Sequence, residues 1–326
     1  MASDLHRILE APVRNPGIPL NLDWVTSSRV NKSAVERRCS TMTGRRTVKK
    51  DWQAAWLLKA ITCIDLTTLA GDDTPGNVHR LCAKAMRPVR EDLLEALGVL
   101  DLKLKCGAVC VYPERVADAV RALEGSGIPV ASVAAGFPHG LSPMKQRIEE
   151  IHRAVESGAE EIDIVITRAH VLNGEWTALY DEVAQFREAC GEAHLKSILA
   201  TGELATLTNV ARASLVAMMA GSDFIKTSTG KESVNATLGF ALVMARAIRD
   251  FHQQTGYKVG FKPAGGIRSA KQSTDYLILM REELGREWQE PHLFRLGAST
   301  LLSDIERQLE HHVTGRYSAY NRHPMA

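Results

Sequence analysis

Five ionisable side chains occur inside short runs that are otherwise apolar and rich in β-branched residues. They are Asp65, Asp163, Lys196, Lys226 and Lys262. Strands of a parallel sheet are buried on both faces, so a charge within one has a desolvation cost that requires a partner or a purpose. Each residue alone is as compatible with a structural ion pair as with catalysis. Together, two carboxylates and three lysines predict an active site.

The lysines indicate carbonyl chemistry, because an unprotonated amine condenses with an aldehyde to form an iminium that accepts electrons. With an ordinary pKa of about 10.4, only about one lysine in a few thousand is neutral at pH 7. Lys226 and Lys262 lie near the ends of consecutive predicted strands, roughly 5 Å apart. Their repulsion, about 3 kcal/mol at an effective dielectric of about 20, lowers a pKa by about two units. The pair therefore favours Schiff-base chemistry, but this reasoning does not rank one lysine above the other.

Glycine-rich stretches follow the last three predicted strands and include Gly230, Lys231, Gly265, Gly266, Gly297, Ser299 and Thr300. Glycines expose backbone N–H groups, and a helix N-terminus after them favours an anion. Barrels commonly hold phosphate between the loops after strands seven and eight, so we predict a phosphate site here. Glycines that only form turns are the alternative. The nucleotide-binding pattern GxxxxGK[ST] is not matched, because Ile225 and Glu232 stand at its first and last positions.

The elements that position these residues follow from hydrophobic periodicity. Short apolar runs alternate with segments of helical period, which predicts repeated βα units and a parallel sheet. The eight predicted strands are 61–66, 108–112, 130–135, 161–166, 195–200, 224–228, 259–263 and 293–297. Eight such units predict an α/β fold, a (β/α)8 TIM barrel, with a doubly wound open sheet as the alternative because periodicity does not reveal strand order.

The clearest helix follows the fourth strand. Asn173 is its predicted N-cap, and Trp176, Leu179, Tyr180 and Val183 recur on one face. We expect that face to cover the sheet.

The chain divides into three parts in this reading. Residues 1–55 form an N-terminal extension with a basic stretch, residues 56–312 form the barrel, and residues 313–326 form a C-terminal tail. The basic residues are Arg37, Arg38, Arg45, Arg46, Lys49 and Lys50. A solvated extension is the favoured interpretation, and a localisation or RNA-contact role is the alternative.

Composition excludes several classes. A formal charge of +2 with interspersed signs disfavours nucleic-acid binding. The N-terminus lacks the apolar stretch of a secretory signal, and no apolar run is long enough to span a membrane. Six cysteines without CxxC pairs favour a reducing, cytoplasmic location. The histidines are scattered along the chain, with His194 next to a predicted core strand, so no metal site is expected.

Five motifs carry a resemblance to a known family. They are Ile-Asp-Leu-Thr-Thr-Leu (64–69), Val-Cys-Val-Tyr-Pro (109–113), Phe-Pro-His-Gly (137–140), Phe-Ile-Lys-Thr-Ser-Thr-Gly-Lys (224–231) and Gly-Phe-Lys-Pro-Ala-Gly-Gly-Ile-Arg (260–268). The chain closely resembles deoxyribose-phosphate aldolases over about residues 55–312. The long N-terminal extension and the tail are more similar to the animal-type branch than to the shorter bacterial one.

The resemblance implies specific roles. Lys226 is the Schiff-base lysine, Lys262 the second lysine and Asp163 the acid-base carboxylate. We assign further residues to substrate and phosphate binding, namely Asp65, Thr67, Cys110, Lys196, Thr229, Gly230, Lys231, Gly265, Gly266, Gly297, Ser299 and Thr300. The family uses no metal and no organic cofactor. In bacterial members a tail tyrosine is implicated in proton transfer, and here the choice between Tyr317 and Tyr320 stays open.

The implied reaction is the reversible cleavage of 2-deoxy-D-ribose 5-phosphate to D-glyceraldehyde 3-phosphate and acetaldehyde. The expected partner is thus a small phosphorylated sugar, with neither membrane nor nucleic acid, and the sequence is compatible with a homo-oligomer. A transaldolase-like or ketose-phosphate enzyme is the runner-up. A non-catalytic metabolite-binding or RNA-associated protein is the alternative of a different class.

Overall fold

Eight parallel strands form one sheet in a computed structural model that describes residues 14–46 and 48–323. The strands are β1 Ile64–Thr67, β2 Ala108–Val111, β3 Val130–Ala134, β4 Glu161–Val165, β5 His194–Ile198, β6 Phe224–Lys226, β7 Gly260–Lys262 and β8 Leu296–Ala298. Their order is sequential from β1 to β7, and β1 also pairs with β8. Parallel bridges between Phe261 and Phe294 and between Ala264 and Gly297 join β7 to the β8 segment. The sheet is a closed (β/α)8 TIM barrel, and the prediction of this fold over an open sheet is confirmed.

Two strands begin three residues later than predicted. Ile61 and Thr62 end a helix, so β1 begins at Ile64 and extends to Thr67. Phe294 forms only an isolated bridge, and the β8 ladder begins at Leu296. In both cases an apolar residue packs in the core without joining the ladder of a strand. Apolar character alone does not distinguish such a residue from a true strand residue.

Helices surround the barrel. The α-helices in the described residues are α1 Leu22–Ser27, α2 Lys32–Met42, α3 Lys50–Thr62, α4 Pro75–Met86, α5 Glu91–Ala96, α6 Val116–Ala122, α7 Met144–Glu156, α8 Arg168–Asn173, α9 Trp176–Ala189, α10 Leu207–Met219, α11 Leu238–Thr255, α12 Ala270–Glu283 and α13 Leu301–Thr314. Short 3-10 helices cover Leu100–Leu102, Pro113–Arg115, Thr201–Glu203, Glu287–Gln289 and Tyr320–Arg322. None of these helices is long and apolar enough to cross a membrane.

The predicted N-cap of the helix after β4 is wrong. Asn173 ends the short helix α8, and Gly174, with φ of 73°, turns the chain so that α9 starts at Trp176. A left-handed glycine after a helix is a common stop signal, and it separates two helices here. The predicted apolar face is otherwise as expected, because Trp176, Leu179 and Val183 are buried.

The N-terminal segment packs on the barrel through its apolar side chains. Val25, Val35 and Met42 belong to the same core cluster as the barrel helices. Its basic stretch forms ion pairs with the end of α12, where Arg38 Nε lies 2.8 Å from a Glu283 oxygen. Helix α3, which packs on α12 and α13, crosses the proposed boundary between residues 55 and 56.

The C-terminal tail folds back along α13. The Nε2 atom of the buried His323 lies 2.6 Å from a Glu310 oxygen, and the Ser303 hydroxyl donates to the His323 carbonyl. Tyr317 is 64% exposed and stacks on His311 in the last turn of α13. It therefore lies at the opposite end of α13 from the C-terminal end of β8, where that helix begins. The prediction of a tail boundary after residue 312 falls within α13.

Candidate active site

Three strands bring the predicted catalytic residues together inside the barrel. Asp163 on β4, Lys226 on β6 and Lys262 on β7 are all buried. The two lysines are direct neighbours in the β6–β7 register, and both place Nζ 2.7 Å from the same oxygen, Oδ2 of Asp163. Lys226 and Lys262 are each the last residue of their strands, which is the face where barrel enzymes build their sites.

A second set of charges lies around this trio. Lys262 Nζ also lies 2.5 Å from Asp65 Oδ2. Lys196 contacts three carboxylates: Asp163 at 3.3 Å, Asp65 at 3.5 Å, and Glu161 in a short ion pair. Arg295 binds Asp65 at 2.6 Å and Glu161 at 2.8 Å.

Glu161 and Arg295 are site residues that sequence reasoning missed. Both occur inside runs predicted as strands, at 161–166 and 293–297, so the same rule that selected the other charges would have found them. Their side chains are buried and pair with each other, and Arg295 also pairs with Asp65.

The balance of charges distinguishes the lysines. Among the residues that the structure describes, four cations face three carboxylates, which leaves one excess positive charge in a buried cluster. Lys196, Lys262 and Arg295 each contact at least two of these carboxylates, whereas Lys226 contacts Asp163 alone. A buried excess charge is unfavourable, so the amine with the fewest partners is the one that loses its proton.

The pKa directions agree with this count. Burial and the Lys262 ammonium lower the pKa of Lys226, although Asp163 opposes them. Burial would also lower the pKa of Lys262, but Asp163 and Asp65 outweigh it and raise that pKa. Likewise, three ammonium groups hold the pKa of Asp163 well below its ordinary value despite its burial. Lys226 is thus the lysine whose pKa is lowered, and Lys262, its neighbour, is the lysine whose pKa is raised.

An apolar layer lies next to the charged one inside the barrel. It consists of Cys110, Ala131, Val133, Phe137, Val165 and Ile198, with Leu69 and Tyr112 packed against it. Burial raises the pKa of the Cys110 thiol, so it stays uncharged. Thr67 is half-buried at the end of β1 and donates its hydroxyl hydrogen bond to the Asp65 carbonyl at 2.7 Å.

The loops after β7 and β8 expose backbone donors. Gly265 and Gly266 have φ of 83° and 79°, a backbone conformation that glycine adopts readily. The N–H groups of Gly265, Gly266, Ser299 and Thr300 donate to no other described residue. Ser299 and Thr300 are exposed and immediately precede α13. This geometry fits an anion at a helix N-terminus.

Gly297 differs from the other glycines of the predicted phosphate site. Its N–H donates to the Pro263 carbonyl at 3.0 Å. A Cβ at this position would lie 2.8 Å from the Ala264 Cβ and 3.4 Å from the Lys262 Cε. Gly297 therefore provides the space through which the Lys262 side chain passes.

The loop after β6 uses its donors internally. The Glu232 carboxylate accepts hydrogen bonds from the N–H groups of Thr229 and Gly230, at 3.0 and 3.1 Å, and from the Thr229 hydroxyl. Lys231 is exposed, and its Nζ lies 3.3 Å from the Leu69 carbonyl across the barrel mouth. Of this loop, Lys231 is the residue whose charge faces the mouth.

The fold and the site define the class: a (β/α)8-barrel enzyme with buried lysines and carboxylates at the C-terminal ends of its strands. The sequence model of the family described as "DeoC/LacD family aldolase" matches residues 59–279. The chain belongs to this family, and it is an aldolase, a carbon-carbon lyase.

Relatives of known name agree over nearly the whole chain. The chain is 66% identical to deoxyribose-phosphate aldolase of Homo sapiens over 314 residues, which cover 96% of this chain and 99% of that protein. It is also 66% identical to deoxyribose-phosphate aldolase of Bos taurus, over 95% of this chain and 98% of that one.

Solved structures share the fold. A putative deoxyribose-phosphate aldolase from Toxoplasma gondii superposes with a TM-score of 0.68 at 20% identity, covering 82% of this chain and 98% of that one. The deoxyribose phosphate aldolase from Aeropyrum pernix, described as a tetramer, gives 0.57 at 21% identity, covering 86% and 99%.

Proposed function

We propose that this chain cleaves 2-deoxy-D-ribose 5-phosphate reversibly to D-glyceraldehyde 3-phosphate and acetaldehyde through a Schiff base on Lys226. The observation that carries the proposal is the contact pattern of the amines. Lys226 has one carboxylate partner, Asp163, whereas every other cation of the cluster has at least two. The names of the relatives at 66% identity support the assignment of deoxyribose phosphate as the substrate.

The first step forms the iminium. The neutral Lys226 amine attacks C1 of the open-chain sugar, and the resulting carbinolamine loses water. The Lys262 ammonium beside Lys226 disfavours a proton on the Lys226 amine. The apolar layer beside Cys110 excludes water from the carbons that become acetaldehyde.

The second step breaks the C2–C3 bond. Asp163, together with Lys262 and a water, removes the proton of the C3 hydroxyl, and the bond electrons move into the iminium to leave an enamine on Lys226. Asp163 Oδ1 is buried, lies 3.3 Å from Lys196 Nζ and forms no hydrogen bond with any described residue, so it has capacity to accept one from the hydroxyl or the water. C3 leaves as the aldehyde of glyceraldehyde 3-phosphate. Protonation of the enamine carbon and hydrolysis release acetaldehyde and the free amine.

The phosphate would bind at the loops after β7 and β8. The unused N–H groups of Gly265, Gly266, Ser299 and Thr300 support this assignment, with Lys231 supplying charge from the opposite side of the mouth. Thr229 and Gly230 would then shape the loop that carries Lys231. Asp65, Thr67 and Lys196 would support the sugar end of the site through Asp163 and Lys262.

Replacing Gly266 by alanine should weaken binding of the phosphorylated sugar. A Cβ there meets no atom within 4 Å, but φ of 79° is strained for alanine, and the N–H would turn away from the ligand. One hydrogen bond to a charged group is worth about 1.5–3 kcal/mol, so KM should rise about tenfold or more with kcat little changed. Steady-state kinetics on deoxyribose 5-phosphate measures this.

Gly285→Ala is the matched control. Gly285 also has a positive φ, 93°, with no atom within 4 Å, but it follows α12 outside the site. It should reproduce the strain without the change in KM. Equal changes in both variants, or an equal loss on unphosphorylated deoxyribose, would contradict the phosphate assignment.

Trapping the intermediate tests the function itself. Incubation with acetaldehyde and borohydride should reduce the iminium to a stable adduct, and peptide mapping should find it on Lys226. Labelling of Lys262 would reverse the two roles, and no labelling would remove the Schiff base. Turnover of deoxyribose 5-phosphate against ketose phosphates distinguishes this reaction from that of a transaldolase-like enzyme.

Three further expectations accompany the proposal. The reaction needs no metal and no organic cofactor. A homo-oligomer is proposed on the strength of the tetrameric relative, and a cytoplasmic location stays a prediction from the cysteine pattern. Size-exclusion chromatography with light scattering measures the oligomeric state directly.

A further inference from the structure

The pair formed by Arg295 and Glu161 has no part in the reaction described above. Arg295 Nη2 lies 2.8 Å from Glu161 Oε1, and both side chains are about 93% buried. Neither forms an ion pair with Lys226 in the described residues. The pair is linked to Lys226 through intermediate residues. Arg295 contacts Asp65, Asp65 contacts Lys262, and Lys262 and Lys226 contact the same Asp163 oxygen.

The charge of Arg295 is permanent, because a guanidinium does not lose its proton in proteins. Of the four cations that face the three carboxylates, Arg295 is therefore the one whose charge does not change with pH. With Arg295 present, the cluster is neutral when Lys226 is deprotonated. Without Arg295, the cluster would be neutral only when Lys226 carries its proton. Removing Glu161 would have the opposite effect and leave a positive excess even with a neutral Lys226.

We propose that Arg295 and Glu161 are positioning residues that set the pH at which Lys226 has a free amine, acting through the ion-pair network and without touching the substrate. This inference rests on the proposed Schiff-base function. It differs from the role of Lys262, which contacts the same carboxylate oxygen as Lys226.

Other titratable groups face this network from the surrounding strands and helices. They are Cys63, Cys106, Cys110, Glu160 and His194, in addition to Asp65, Asp163, Lys196 and Lys262 of the network itself. Burial raises the pKa of the Cys63 thiol to about 11 and lowers the pKa of His194, so neither changes charge near neutral pH. All of these groups stay in place when Arg295 or Glu161 is replaced.

Replacing the two residues should move the pH dependence in opposite directions. A unit charge about 10 Å away at an effective dielectric of about 20 shifts a pKa by about one unit. Arg295→Met removes a positive charge, so the midpoint for adduct formation should rise by about one pH unit, with about tenfold slower trapping at neutral pH. Glu161→Gln removes a negative charge, so the midpoint should fall by about one unit. The double variant should return close to the parent midpoint.

The experiment measures the rate of acetaldehyde adduct formation on Lys226 against pH, by borohydride trapping and peptide mass analysis. Arg295→Lys is the conservative control, because it keeps the charge and should keep the parent midpoint. Circular dichroism checks that each variant is folded, and the charge-neutral double variant keeps the test available if Arg295→Met does not fold. In that case Glu161→Gln and the double variant should differ by about one unit.

The outcomes separate the two proposals. If the parent enzyme forms no adduct on Lys226, the Schiff-base function itself fails. If the parent forms the adduct but both single variants keep its midpoint, or both shift in the same direction, the positioning role is overturned. Opposite shifts that cancel in the double variant support it, because merely structural damage lowers the rate without reversing sign.

Discussion

An Asp163→Asn variant should trap acetaldehyde on Lys226 at neutral pH at least as fast as the parent enzyme, yet cleave the sugar about 100- to 10,000-fold more slowly. Asp163 is the only carboxylate that contacts Lys226 in the described part of the chain. Without its negative charge the ammonium form is less favourable, so the pKa of Lys226 falls and the free amine becomes more abundant. The base that accepts the C3 hydroxyl proton is lost, however, so carbon-carbon cleavage slows.

Two assays on the same variant check this. Borohydride trapping with acetaldehyde reports iminium formation, and release of glyceraldehyde 3-phosphate reports cleavage. Asp118→Asn is a matched control, since Asp118 is also a mostly buried aspartate, paired with Arg115 at 2.9 Å on α6, outside the site. It should leave both assays unchanged. Loss of trapping in parallel with cleavage would show that Asp163 serves iminium formation instead.

Replacing Lys262 by leucine should slow adduct formation about 100-fold at neutral pH, with recovery as the pH rises. Lys262 and Lys226 contact the same Asp163 oxygen at 2.7 Å, so the two amines are close enough to repel strongly. Asp163 and Asp65 raise the pKa of Lys262, which keeps it charged over the working range. Without that ammonium, Asp163 acts on Lys226 alone, and the Lys226 pKa should rise by about two units.

The pH profile of trapping decides between two roles for Lys262. A profile displaced to higher pH supports the electrostatic role. Adduct formation at the parent rate, combined with absent cleavage at every pH, would instead make Lys262 part of the proton relay with Asp163. Lys84→Leu is the control, because Lys84 also pairs with a buried carboxylate, Glu306 at 2.6 Å, but outside the barrel interior.

The eight strands and the residues that converge between them could be predicted from the sequence. Buried parallel strands are apolar on both faces, so Asp163, Lys226 and Lys262 stand out in the printed sequence without any structure. The ends of the strands were harder to predict from the sequence, because Ile61 and Phe294 are apolar core residues although neither belongs to the ladder of a strand. The same reasoning applied to Glu161 and Arg295 would have completed the cluster.

The sequence by itself determined which side chains carry charge, how many there are, and that they lie within a barrel. Only the tertiary structure decided how they pair. Lys226 and Lys262 are the same residue type on adjacent strands, and their pKa values move in opposite directions because Lys262 contacts two carboxylates and Lys226 one. Electrostatic energies depend on distance and burial, and residues as far apart in sequence as Asp65 and Arg295 come into contact only when the barrel closes.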